Sequence, residues 1–184
     1  MEAKYRFEEK KVGPATINVY ADRPQTVFEM FHKTVEACPE REAVTCGDIC
    51  LSYAELDRRV DALASYLKND CHAKKGDRVV VFLPNNDIFP TAFLAISKIG
   101  GISVVLNTRL TRPELVYQLE LTKPVAAVVD SETWDTELDE LVPPHGGEHL
   151  AGRPLGEGRR LRACHGERRG CPHHPLHLRD NRQS

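Results

Sequence analysis

Apolar residues recur with two different periods along the first 130 positions, and the alternation between the periods predicts an order of elements. Val27, Phe28, Phe31 and Val35 fall on one side of a helix, as do Leu56, Val60, Leu63 and Leu67. The same spacing predicts a helix over Asp87 to Ile99, with Phe89, Phe93, Ile96 and Ile99 on its core side, and another carrying Leu115, Val116 and Leu119. Between these stripes lie short runs that are apolar at nearly every position: Val79 to Leu83, Ile102 to Leu106 and Val125 to Val129. A strand without polar alternation is buried on both faces, and strands alternating with helices are joined in parallel by right-handed crossovers. The predicted fold class is therefore α/β, a parallel β-α-β-α-β sheet. An early β-hairpin, Ala43 to Cys46 with Ile49 to Ser52 around Gly47-Asp48, precedes it.

Helix starts and turns support the same order. Thr26 with Glu29, Ser52 with Glu55 and Thr111 with Glu114 each place a hydroxyl at a cap and a carboxylate three residues on, where the two satisfy orphaned N–H groups reciprocally. Gly76-Asp77 and Pro84-Asn85-Asn86 supply turns on either side of the first parallel strand.

Composition divides the chain. Of 184 residues 41% are apolar, which suits a globular domain. No apolar run approaches a membrane span, and the charged start Met1 to Lys11 lacks the apolar segment of a secretory signal, so a cytoplasmic location is expected. Lys123 is the last lysine, Trp134 the last aromatic residue and Val142 the last valine, and six of the eight histidines lie from His145 onward. Pro143 to Ser184 holds eight Arg against four Asp plus Glu, a net of +4, which leaves −6 for Met1 to Val142 out of the total of −2. The expected organisation is an N-terminal extension over 1–25, a folded unit over 26–140, and a tail over 141–184 too poor in large apolar residues to offset the entropy of ordering.

Cysteine and arginine chemistry leaves several readings open. Cys38, Cys46, Cys50 and Cys71 form no metal pattern. Cys46 and Cys50 flank the hairpin turn, where they either face one another or stand as buried free thiols. In the tail, Cys164, His165, Cys171, His173, His174 and His177 offer zinc ligands, although the spacing fits no standard finger. Arg159, Arg160, Arg162, Arg168 and Arg169 could neutralise nucleic-acid phosphates, yet the tail has no aromatic residue to stack on bases, and a solvated basic tail is the plainer reading. No nucleic-acid partner is expected for the chain as a whole.

Four in-frame segments together carry a family resemblance. Leu51-Ser52-Tyr53-Ala54-Glu55-Leu56, Gly76-Asp77-Arg78-Val79, Leu83-Pro84-Asn85, and Lys98-Ile99-Gly100-Gly101 followed by Val105-Leu106-Asn107 stand in the order found in the adenylate-forming superfamily, which holds the AMP-forming acyl-CoA synthetases. Leu106-Asn107-Thr108-Arg109-Leu110-Thr111 is similar to the acyl- and aryl-CoA ligases, which carry Asn-x-Arg here. The resemblance spans about residues 26 to 130. The segment His174 to Ser184 adds an indirect signal. Its codons read one nucleotide later are compatible with Ile-Leu-Tyr-Thr-Ser-Gly-Thr-Thr-Gly-Lys, which resembles the family's phosphate-binding loop, and the slip is expected between Glu137 and about His145.

What the resemblance implies is a two-step ligase. A carboxylate, in a fatty or aryl acid, attacks the α-phosphate of ATP with Mg²⁺ to give acyl-AMP and pyrophosphate, and CoA thiolate then displaces AMP. The resemblance assigns Arg109 a contact to a CoA phosphate, for which a guanidinium's bidentate geometry is suited; the alternative is an ordinary surface arginine ahead of a helix. The phosphate loop is expected to be encoded out of frame near Leu176 to Ser184, leaving no catalytic residue in this chain and an inactive product. Two alternatives are a CoA- or nucleotide-binding regulatory module without catalysis, and a small zinc- or nucleic-acid-binding protein acting through the tail. Self-association through uncovered sheet edges is also expected.

Overall fold

The computed structural model describes residues 6–130, Val142, and the backbone of residues 153–154 and 160–164. Its elements run β1 (Phe7–Val12), β2 (Ala15–Tyr20), α1 (Val27–Ala37), β3 (Glu42–Cys46), β4 (Ile49–Ser52), α2 (Tyr53–Asn69), β5 (Arg78–Phe82), α3 (Ile88–Lys98), β6 (Ile102–Val105), α4 (Arg112–Thr122), β7 (Ala126–Asp130), β8 (Arg153–Pro154) and β9 (Arg160–Cys164).

Three of these form the parallel sheet that the apolar runs predict. β5 pairs with β6 from Arg78↔Ile102 to Val81↔Val105, and with β7 from Val79↔Ala126 to Phe82↔Val129. Period-two alternation along β5 sends its side chains into two separate cores. Val79, Val81 and Leu83 join a cluster with Phe31, Leu56, Val60, Leu67, Ile88 and Ile96 from α1, α2 and α3. Val80 and Phe82 join Leu106, Leu115, Leu119, Ala127, Val129 and Val142 on the face that α4 covers. Helices thus sit on both faces of the sheet, as parallel strands require.

The helix starts follow the sequence, with one variation. Ser52 and Thr111 form capping boxes with Glu55 and Glu114. At α1, Thr26 accepts from the Glu29 N–H at 3.0 Å, but the Glu29 carboxylate accepts from Gln25 N–H at 2.5 Å, one residue earlier than a box would have it.

Two expectations, on α3 and on the hairpin thiols, need correction. The buried face of α3 is Ile88, Thr91, Ala92, Leu94, Ala95 and Ile96; Phe89 and Ile99 are half-buried and pack against the same cluster, while Phe93 is half-buried outside it. α3 lies between the sheet and α2, and small residues at 91, 92 and 95 allow that approach, so bulk is displaced to its flanks. Residues 7–20 form an antiparallel hairpin with Gly13 at φ +58° in its turn. The two-residue turn at Gly47-Asp48 pairs Cys46 with Ile49 and sets Cys50 opposite Thr45, so the two thiols do not face one another; nor are they buried, Cys46 being intermediate and Cys50 exposed. Beyond β7, β9 runs antiparallel to β7 from Ala127↔Cys164 to Asp130↔Leu161, and β8 pairs with β9. The outer edge of β7 presents unpaired N–H and C=O groups that an extended segment satisfies.

Candidate binding site

Connections leave β5 and β6 toward opposite faces of the sheet: the first leads into α3 and the second into α4. The two loops meet beyond the carboxyl ends of these adjacent parallel strands, the end of an open α/β sheet at which ligands bind. A cavity of about 560 Å³ occupies that place, lined by Leu83, Pro84, Asn85 and Phe89 from one loop and by Val105, Leu106, Asn107, Thr108 and Arg109 from the other.

Local chemistry fixes both walls. On one side, Asn86 Oδ1 accepts from the N–H groups of Ile88 and Phe89, each at 3.1 Å, and so caps α3 where Asp87 itself makes no side-chain cap. On the other, Asn107 Oδ1 accepts from Arg109 N–H at 2.9 Å and the Asn107 carbonyl accepts from Leu110 N–H at 3.1 Å, closing a turn around Thr108 and Arg109. The Glu114 carboxylate then accepts from Thr111 N–H at 2.8 Å and from the Thr111 hydroxyl at 2.7 Å. These bonds to Thr111 hold the Glu114 carboxyl below the usual carboxylate range. Arg109 is exposed, and its guanidinium has no hydrogen-bond or ion-pair partner among the described residues.

Among the described residues the polar lining consists of a guanidinium, two amides and a hydroxyl, with no carboxylate. Donors without a competing anion suit a phosphate or carboxylate ligand. Leu83, Phe89, Val105 and Leu106 supply the apolar part. The Asn-x-Arg spacing points to Arg109 but not to its setting: in the sequence Asn85, Asn107 and Thr108 are turn or motif residues, and their convergence depends on which faces α3 and α4 take.

A second cavity, about 690 Å³, opens near the opposite ends of the strands among Asp61, Lys68, His72, Lys74, Lys75 and Lys98. Lys98 is committed there to an ion pair with Asp61. Lys68 and Lys98 stand in the last turns of α2 and α3, where ammonium groups offset the negative end of a helix dipole. This cavity is read as a solvated basic surface. Among the described residues, no group of three or more His, Cys, Asp or Glu side chains could hold a metal ion, and no helix is long and apolar enough to cross a membrane. The tail's proposed zinc ligands and arginines, and Leu176 to Ser184, lie outside the described residues except for the backbone of Arg160, Arg162 and Cys164.

Comparison with known proteins decides the family. The family described as AMP-binding enzyme matches residues 31–169, most of the chain. The chain belongs to the AMP-binding enzyme family. The match runs past the stretch from Glu137 to His145 where a break in reading frame is expected. The chain is 32% identical over 145 residues to a long-chain-fatty-acid–CoA ligase of Escherichia coli, covering 78% of the chain and 25% of the relative. It is 35% identical over 119 residues to a Haemophilus influenzae protein of the same description, covering 64% and 21%. Among solved structures, the O-succinylbenzoate coenzyme A synthetase of Bacillus subtilis aligns with a TM-score of 0.59 and 27% identity over 64% of this chain and 25% of that one. The N-terminal domain of FACL13 from Mycobacterium tuberculosis aligns with a TM-score of 0.52 and 26% identity over 55% and 26%. The chain spans about a quarter of the length of the relatives it matches. Its parallel sheet and early hairpin are those of the N-terminal domain of adenylate-forming enzymes.

Proposed function

We propose that this chain is the opening part of the large domain of an ATP-dependent acid–CoA ligase, that its contribution to the site is the anion crevice between β5 and β6, and that it does not make acyl-CoA by itself. The observation that supports this reading is the crevice beyond β5 and β6: among the described residues Arg109 stands there without a side-chain partner, beside Asn85, Asn107 and Thr108 and without a carboxylate in the lining. CoA fits that donor set, because its nucleotide end carries a phosphomonoester that is dianionic near neutral pH and suits a bidentate guanidinium. Among the described residues the apolar lining gives no aromatic wall beyond Phe89, so the phosphate, and not a stacked base, is the group that the crevice would recognise.

Among the described residues of the crevice none is a carboxylate that could hold Mg²⁺, and the ATP-dependent half-reaction is assigned to other parts of the ligase. The phosphate loop is proposed to be encoded one frame away near Leu176 to Ser184, in a product that acts in the cytoplasm. The codon compatibility of the tail supports that proposal; the family match to residue 169 and the pairing of β9 with β7 speak against an early slip. Sequencing the gene from the codon of Leu138 past Ser184 decides it: a shifted frame continuing with the family's loop supports the slip, and a frame that does not yield the loop overturns it. For activity, the purified chain is incubated with ATP, Mg²⁺, CoA and fatty or aryl acids, and acyl-CoA is followed by mass spectrometry. No product is expected, while turnover would overturn the inactive reading and leave the family intact.

A further inference from the structure

Resting on the reading of the crevice as a phosphate site, we propose that Asn107 is the positioning residue that aims Arg109 at the ligand phosphate. Asn107 uses both its oxygens to close one turn: Oδ1 takes the Arg109 N–H at 2.9 Å and the main-chain carbonyl takes the Leu110 N–H at 3.1 Å. The chain is tied immediately before and after. Leu106 N–H donates to the Val81 carbonyl at 3.0 Å, which holds the turn against the central strand, and Leu110 packs on the cluster beneath α4. Thr111 and Glu114 then lock the start of α4. Arg109 therefore has a backbone fixed from both sides and a side chain fixed by nothing among the described residues. For such a residue the direction of the Cα–Cβ bond is the main thing that the protein controls before the ligand arrives, and the Asn107 side chain supplies the nearest bond that sets it. A guanidinium that starts in the right direction loses less freedom on binding. The spacing Asn-x-Arg is then a single device, in which the asparagine supplies direction and the arginine supplies charge.

The competing account is that Asn107 serves the turn alone. It separates from the proposal by what each variant does to phosphate discrimination, and not merely to stability. Isothermal titration of the 184-residue chain with CoA and with 3′-dephospho-CoA gives an affinity ratio for the wild type and each variant, with thermal melts run alongside. The ratio is expected to favour CoA in the wild type and to vanish in Arg109→Ala. Asn107→Ala should lower it about fivefold, the equivalent of one ordinary hydrogen bond. Asn107→Ser, which keeps an acceptor within reach of the Arg109 N–H, should restore most of it. Should the wild type not discriminate, the reading of the crevice falls and this inference with it. Should the wild type and Arg109→Ala behave as expected while Asn107→Ala keeps the wild-type ratio, the role of Asn107 alone is overturned, whatever its melting temperature.

Discussion

Arg59 Nη1 on α2 donates to Asp87 Oδ2 at the start of α3 at 3.1 Å, and the Asp87 side chain is 1% exposed. The pair ties α2 to the loop that forms one wall of the crevice. Removing one partner leaves a charge in a poor solvent, which costs about 3–5 kcal/mol in comparable pairs. Arg59→Met is therefore expected to lower the urea midpoint strongly, and Arg59→Met with Asp87→Leu to recover part of the loss. Simple additivity of the two single changes would show that the pair is not coupled.

Acid should loosen α2 and α4 before it reaches the cores. Hydrogen bonds from Ser52, its backbone N–H first, hold the Glu55 carboxyl below its usual range, and the bonds from Thr111 do the same for Glu114. A carboxyl whose folded value lies below its unfolded one stabilises the fold above the unfolded value, about 4.3, and loses that contribution as pH falls through the lower folded value. Melting temperatures from pH 6 downward should drop in this acid range for the wild type and drop less for Glu55→Gln. Parallel curves for the two would remove the capping box as the cause.

Thiol reactivity should rank with burial. Cys71 is fully buried, and burial pushes its thiol up to about 12, so almost none is thiolate at neutral pH. Cys50, exposed on β4, is expected to react with iodoacetamide in the native protein, while Cys71 reacts only after denaturation. Peptide mapping by mass spectrometry reads each site, and early labelling of Cys71 would show that the α2–β5 corner opens.

The edge of β6, unpaired among the described residues, should drive self-association. Ile102 and Val105 are about half exposed, and the strand Ile-Ser-Val-Val carries no charge to deter pairing. Ile102→Lys is expected to reduce light scattering at high concentration with little change in melting temperature. Unchanged scattering would move the blame to other exposed apolar residues, such as Tyr117 and Leu121 on α4.

Patterns that depend on a single element were legible in the sequence; those set by a neighbour were not. Val79 to Leu83 could be read as a strand buried on both faces because nearly every position agrees. α3 misled because its face is chosen by how closely α2 and the sheet approach, which favours Ala92 and Ala95 over Phe89 and Phe93. The β1–β2 hairpin was hidden by the polar run Glu8-Glu9-Lys10-Lys11, and what joins its ends is a cross-strand pair, Phe7 with Tyr20, whose rings stand 4.9 Å apart. Arg109 could be nominated from Asn-x-Arg. That it shares a crevice with Asn85 could not, since 24 positions separate them and only the divergence of two crossovers brings them together.

β5 is flanked on both sides by strands that come later in the chain, β6 and then β7. Its second neighbour is 47 positions away at Val79↔Ala126, so pairing on that side cannot begin until β7 has been synthesised. During translation the two antiparallel hairpins can close locally, while Val79 to Phe82 wait with an open, uncharged edge. The nascent chain is therefore most exposed to wrong partners in the interval between synthesis of β5 and of β7, and a pause placed there would lengthen the hazard while one placed after residue 130 would not.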